Sequence, residues 1–340
     1  MLPKSSITQF DDQINNDRRN FMLQAACVGT AVALPGLVCA KAAIPNKIHL
    51  VIPYPPGGST DTVGRILASS VGKHLDTSII SDNQAGAAGL IGIGTVARSA
   101  PDGATLGISG IGTTVLLALT QKDVPYNRQR DLDVIAHLGS FGNAIVARSN
   151  APFNNFNELL AFGKEKPGFL TCGTSTLGSP SHMTLEYLKI STGINVRGIP
   201  YRGDTQILTD VLGGQLQLGL ISVPQAIEQV KSGTLKTIAV TSAKRAAALP
   251  SVPTIQESGV ENFEASLWNV LVTRKGVPQD IQQALNEAVN AAFTTDKVRR
   301  QLALFNIEFV RNSQADAIAF VDKEDAKWKS IVQKTGLTPS

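Results

Sequence analysis

The sequence predicts an α/β fold in which mostly parallel sheets are flanked by helices. Three observations carry that reading. Short apolar runs of strand length alternate with longer stretches whose apolar residues recur at helical spacing. Proline, glycine and asparagine clusters punctuate the changes from one to the other. The chain has 340 residues, which is enough for two such bodies once a leader is set aside.

The first apolar run, KIHLVIPY at 47–54, reads as a buried strand closed by Pro53, Pro55 and Pro56. Gly57 and Gly58 turn the chain. Ser59 or Thr60 is then placed to cap a helix with Val63, Ile66, Leu67 and Val71 on one face. A short strand over 78–81 follows. Residues 83–103 open as a glycine-rich turn, become a helix and stop at Pro101-Asp102-Gly103. Strands are expected over 104–109, 133–138 and Asn143–Arg148. Asn155 and Glu158 have the spacing of a capping box, and Leu159, Leu160 and Phe162 supply that helix with an apolar side. A strand at 168–174 leads through the loop 175–181 to a helix over 182–191. Next come a strand at 195–201 and a helix over 204–212 closed by Gly213-Gly214. A strand at 216–222, a helix with Pro224 in its first turn and a strand at 234–241 follow. Thr254 and Glu257 repeat the capping-box spacing. A strand over Leu267–Arg274 and helices over Gln279–Phe293, 296–305 and 314–331 complete the chain.

Composition excludes several classes. The net charge of +4 is small for this length, and Lys and Arg are scattered, so no nucleic-acid partner is expected. No stretch of the body is apolar long enough to span a bilayer. The first 42 residues differ from the rest: a polar start, Arg18-Arg19, an uncharged run over 21–40, then Ala40-Lys41-Ala42. That is the order of an export signal, and the paired arginines resemble a twin-arginine signal. Residues 1–42 are therefore expected to be a signal peptide, with the mature chain in the periplasm. Cys27 and Cys39 lie in that leader, so the mature chain keeps only Cys172 and has no internal disulfide.

No cofactor or metal is expected. The histidines His49, His74, His137 and His182 show no ligand spacing, and GGSTD lacks the G-K-[ST] of a phosphate-binding loop. A remote alternative is a serine hydrolase. It fails locally because Leu177 stands where a nucleophile elbow needs glycine, and no acid is evident to orient His182. No catalytic residue is expected.

IPYPPGGSTDTVGRILA at 52–68 resembles the opening signature of the Bug family, the substrate-binding proteins of tripartite tricarboxylate transporters. NQAGAAGLIG, ARSAPDGATL, CGTSTLGSPSH, IPYRGDTQILTDVLGGQ, SGTLKTIAVTSAKRAAALPSVPTIQESG and LWNVLVTRKGVP follow in the family's order. The resemblance covers nearly all of the mature chain. It implies a two-lobed periplasmic binding protein of type II-like fold, hinged, with ligand in the cleft. It also implies a discontinuous first lobe, placed at 43–146 and 241–340, around a second lobe at 147–240. The implied partners are a small carboxylate or amino-acid-like ligand and the membrane permease subunits of such a transporter, the receptor itself acting as a monomer. A ligand-sensing receptor docking on a membrane signalling protein is the alternative. The chain departs from the family pattern at Thr176, Gln217 and Val270. Thr176 lies in the presumed site and bears on ligand identity.

The PPGGSTD loop offers no Lys or Arg, yet a helix start can hold an anion. Its first N–H groups have no internal acceptor, and the peptide dipoles place about half a positive charge there. Gly57 and Gly58 would let the backbone approach closely, and Ser59 and Thr60 add hydroxyls. The same residues also fit an ordinary turn and cap. The resemblance favours the binding role, and extends it to Thr174, Ser175, Thr176, Gly178 and Ser179 before the next helix, and to Gly203 and Asp204 before a third. Tyr54 either packs on the ligand's carbon skeleton or belongs to the core. Asp61 and Asp204 either cap their own helices or, for Asp204, pair with a ligand ammonium.

Overall fold

The computed structural model describes residues 44–337, so the leader read over 1–42 lies outside the described residues. Ten strands are described: β1 Lys47–Ile52, β2 Ser78–Asn83, β3 Thr105–Gly110, β4 Leu132–Phe141, β5 Asn143–Arg148, β6 Leu170–Thr174, β7 Val196–Pro200, β8 Leu218–Ser222, β9 Leu235–Val240 and β10 Leu267–Arg274. The longer helices are α1 Ser59–Leu75, α2 Leu90–Ala97, α3 Phe156–Glu165, α4 Pro180–Thr192, α5 Asp204–Gly213, α6 Val223–Lys231, α7 Gln279–Phe293, α8 Asp296–Leu304 and α9 Gln314–Thr335.

Two five-stranded sheets form, ordered β2-β1-β3-β10-β4 and β7-β6-β8-β5-β9. In the first, β1 pairs parallel with β2 and β3, while β10 runs antiparallel between β3 and β4. In the second, β6 pairs parallel with β7 and β8, while β5 runs antiparallel between β8 and β9. Each sheet, flanked by helices, is one lobe of a two-lobed α/β fold. In each lobe the antiparallel strand is the one out of turn along the chain. The chain changes sheet at Gly142, ahead of Val146, and leaves the second sheet after Val240.

Helix α1 buries Val63, Ile66, Leu67 and Val71 against Ile48, Leu50 and Ile52 of β1. A Cβ on Gly64 would stand 2.6 Å from Ile52 Cδ1, so glycine there lets the helix lie close to the strand. Helix α4 buries Met183, Leu185 and Leu188 in a core that also holds Ile145, Leu218, Leu220, Val270 and Val272. That core therefore takes residues from both sheets. The return from the second sheet is fixed by Thr241, whose N–H donates to the Asn143 carbonyl and whose hydroxyl accepts from the Asn143 N–H.

Helix α9 ties the lobes together behind this crossing. Glu324 is buried and accepts hydrogen bonds from the indoles of Trp268 in β10, at 3.0 Å, and Trp328, at 3.2 Å. Tyr187 of α4 meets Trp328 edge-on and stacks on Phe263 at 4.5 Å.

Two segments differ from expectation. Thr254 and Glu257 do exchange capping hydrogen bonds, but only a turn follows, because Gly259 enters the left-handed region at φ 102°. A π-helical turn over Gly112–Leu116, continued by a short helix Leu117–Thr120, occupies a stretch where no element was expected.

Candidate functional site

Both lobes place the loop after their first parallel strand at the same end of the sheet, where a helix starts. In the first lobe, Gly57 takes φ 91°, a conformation that favours glycine, and Gly58 is the N-cap of α1. No side chain caps this helix, so neither Ser59 nor Thr60 plays the capping role expected of it. The loop is shaped by Asp61 instead. Its buried carboxylate accepts from the Gly57 N–H at 3.0 Å, from Arg65 Nε at 2.9 Å and from Asn83 Nδ2 at 2.9 Å. Asn83 also donates to the Tyr54 carbonyl, pinning the loop to the end of β2. Burial pushes the Asp61 carboxyl up, but the bonds from Arg65, Gly57 and Asn83 outweigh it and hold it below the usual carboxylate range. Asp61 thus reaches back beyond its helix rather than facing a ligand, and the Gly57 N–H is already engaged. A Cβ on Gly58 would meet nothing within 4 Å, so the space in front of the helix start is open.

In the second lobe Ser179 is the N-cap of α4, its hydroxyl accepting from the His182 N–H, and Pro180 opens the helix. Gly178, at φ 75°, donates its N–H to His182 Nδ1. Burial pushes the His182 ring below its ordinary pKa, with Glu186 opposing. Its Nδ1 is an acceptor for backbone, a structural role. The Ser175 N–H donates to Ser181 Oγ, and the Thr174 hydroxyl turns back to the Ser175 carbonyl. Thr176 and Leu177 stand exposed at the tip, Leu177 at 68%.

The π-helical turn is where these two loops meet. A Cβ on Gly112 would lie 3.5 Å from Tyr54 Oη and 3.6 Å from Pro180 Cγ. A Cβ on Gly178 would lie 2.7 Å from Thr120 Oγ1. Tyr54 is partly buried, shares a hydrogen bond with Thr113, and has its phenol pushed up to about 12 by burial. The turn is held by Ser109, whose hydroxyl lies 2.9 Å from Thr113 Oγ1 and 2.8 Å from Thr114 Oγ1, and by Tyr126, which donates to the Thr113 carbonyl. Inserted π-turns of this kind often mark functional sites.

The third loop joins through the second. The Tyr201 N–H donates to the Thr174 carbonyl at 2.8 Å. Gly203 is the N-cap of α5, in extended backbone that needs no glycine, and a Cβ there would meet nothing within 4 Å. Asp204 does not cap its own helix. Its carboxylate accepts from the Ser222 N–H at the end of β8, at 2.9 Å. Burial raises the Asp204 carboxyl above its ordinary range, Ser222 opposing, and no cation pairs with it among the described ion pairs. The structure therefore brings Tyr54, Gly112 and Pro180 at the start of α4 together, and Tyr201 ties the loop that leads to Gly203 and Asp204 to Thr174.

Sequence reasoning passed over Arg65, Asn83, Ser109 and Thr113. Arg65 could have been found four residues after Asp61 on the same helix face. Ser109 and Thr113 bond each other four residues apart, while Asn83 donates to partners more than 20 residues away and leaves no local signal.

The departures from the family pattern are also placed. The Gln217 side chain accepts from the Thr171 N–H and hydroxyl, and Val270 is fully buried. A groove of about 520 Å³, lined by His137, Ser140, Lys244, Glu264 and Glu308, lies at the crossing segments rather than at the helix starts.

A model of the tripartite tricarboxylate transporter family receptor matches residues 63–337. The chain belongs to this receptor family. The receptor is 30% identical to the protein BugT of Bordetella pertussis over 315 residues, 92% of this chain and 97% of BugT. It is similar to the structure of an R. palustris protein with adipate: TM-score 0.78, 28% identity, 86% of this chain and 98% of that chain. It is also similar to MatC from Rhodopseudomonas palustris with bound malate: TM-score 0.73, 26% identity, 84% of this chain and 98% of that chain. Among the described residues of the receptor, no helix is long and apolar enough to cross a membrane.

Proposed function

We propose that this receptor works in the periplasm, closes on a small carboxylate between its two lobes and hands it to the membrane subunits of a tripartite transporter. One observation carries the reading: Tyr54, in the loop that leads to α1, and Pro180, the first residue of α4, both lie beside Gly112. The start of α1 presents N–H groups with no intrahelical acceptor and no side-chain cap, and α4, capped by Ser179, adds its dipole and polar side chains. Gly58, Ser59 and Thr60 serve on one side and Thr174, Ser175, Thr176 and Ser179 on the other, with Gly203 at a third helix start. Gly57, Asp61 and Gly178 shape the loops. Asp204 bounds the ligand's far end. Two relatives of like fold hold dicarboxylates, adipate and malate, which suits a site with one anion-receptive start per lobe. With the sheet change at Gly142, lobe 1 comprises the described residues up to 142 and from 241 onward, lobe 2 comprises 143–240, and the receptor acts as a monomer without catalysis.

A thermal-shift screen of malate, adipate, aromatic carboxylates and acidic amino acids tests this. A ligand that binds only the folded state raises the melting temperature, by more as its concentration exceeds Kd. At least one acid is expected to do so and to be recovered chemically unchanged. A flat response across the screen, or turnover of the bound acid, would count against the reading.

A further inference from the structure

Two buried asparagines occupy equivalent places in the two lobes. Asn143 is 3% exposed and Asn269 is 2% exposed, and among the described residues neither Nδ2 has a hydrogen-bond acceptor in the protein. Thr237 Oγ1 shares that condition, but it sits mid-strand in β9 opposite Val146. An amide donor kept from water and left unpaired destabilises a folded chain, so its presence calls for a physical cause.

Their placement supplies one. Asn269 lies on β10 and Asn143 on β5, the antiparallel strands of the two sheets. Asn269 pairs with Gly110, the last residue of β3, and Asn143 pairs with Ser222, the last residue of β8. β3 and β8 hold the same position in their sheets. By strand alternation Asn269 shares a face with Leu271, which packs with α1, and Asn143 shares a face with Ile145, which packs with α4. Each amide therefore sits at the end of its sheet where the loops converge, on the side of the helix whose start forms the candidate site. For Asn269 the contact is direct: Thr60 in the first turn of α1 donates to its Oδ1 at 3.3 Å. β10 pairs with β3 without a register break from Asn269 to Thr273, so the alternation holds there; the extra residue of the neighbouring bulge lies in β4. Glycine at 110 leaves room, since a Cβ there would lie 3.4 Å from Asn269 Oδ1.

We propose that Asn269 and Asn143 are ligand-binding residues, one per lobe, each donating its Nδ2–H to a carboxylate oxygen held at the neighbouring helix start. This rests on the carboxylate-receptor reading above and extends it. The site would select ligands with an acceptor group at both ends, using two neutral donors from the sheets in addition to backbone. A side-chain amide suits the task because it adds a donor to an anion without bringing a cation that Asp204 would neutralise.

The test is N269L and N143L, each a near-isosteric change that removes the donor and the unpaired polar group together. Melting temperature without ligand, and Kd for adipate and malate by calorimetry, are measured on wild type and both variants. Ligand-free melting temperatures equal to or above wild type, with affinity weakened about ten-fold or more, are the expected results. Lower ligand-free stability with unchanged affinity would show a structural role, such as holding a buried water, and overturn the assignment. If wild type binds neither acid, the dicarboxylate reading itself fails and the assignment falls with it. Should a variant not fold, Asn-selective ¹⁵N labelling of wild type serves: both side-chain NH₂ resonances are expected to shift on adding the bound acid, and unmoved resonances overturn the proposal.

Discussion

The two lobes have the same strand order but start their first helix in different ways. In the first lobe α1 has no side-chain cap, and the loop before it is drawn inward by an ionised Asp61 bonded to Arg65, Asn83 and the Gly57 N–H. In the second lobe α4 is capped by the neutral hydroxyl of Ser179, and its loop is drawn in by His182 Nδ1. The difference teaches that the loop before a helix start can be shaped by a charge network or by neutral groups. In both lobes the shaping group points back into its own loop. Asp204 sharpens the contrast: it also lies at a helix start, but the only contacts that offset its burial come from Ser222.

Removing Asp61 should have the largest effect. D61A leaves the Gly57 N–H, Arg65 and Asn83 without their acceptor. It should lower stability by about 2 kcal/mol, read by chemical denaturation, and weaken ligand binding through the displaced loop. Because the folded pKa of Asp61 is depressed, its contribution is present above the ordinary carboxylate range near pH 4 and is lost as pH falls through the folded value. The gap between D61N and wild type should therefore narrow in acid.

Next in size is S179A, which removes a true N-cap and should cost about 1 kcal/mol. S59A, at the corresponding start of α1, should stay within about 0.5 kcal/mol of wild type, because Ser59 caps nothing. Equal losses in the two variants would break the comparison.

The smallest change in size, though opposite in sign, is expected from D204N. The raised carboxyl favours the protonated form in the folded state, so Asp204 supports stability below its unfolded pKa and loses that support as pH rises through its folded value. D204N should match or exceed wild-type stability at neutral pH and lose that advantage in acid, as followed by melting temperature from pH 3 upward. A loss at neutral pH would mean that Asp204 has a cationic partner in solution.

Much of the fold was legible because local signals agreed with one another. The apolar face of α1 is buried as read, and the capping residue Asn155 and the glycines that close α5 can each be tied to an observed bond or backbone angle. What stayed hidden depends on partners distant in the chain. The π-helical turn at Gly112–Leu116 is held by Ser109 close by and by the Tyr126 hydroxyl, which donates to the Thr113 carbonyl from 13 residues on. The antiparallel placement of β5 and β10 arises from crossing between sheets. The spacing of Thr254 and Glu257 is matched by reciprocal hydrogen bonds, which close a single turn without a helix behind it. In the candidate site, the loops themselves were legible from their glycines. The inward bonding of Asp61 and the tie from Asp204 to Ser222 were not, since each uses a neighbour placed by tertiary structure.

The most direct measurement is a calorimetric titration of the receptor with adipate or malate, whichever raises its melting temperature more, against the neutral diamide of the same acid. If helix starts in both lobes grip the two ends of an anion, the diacid binds at one site and the diamide binds roughly 100-fold more weakly or not at all. Comparable affinity for the two would contradict the account.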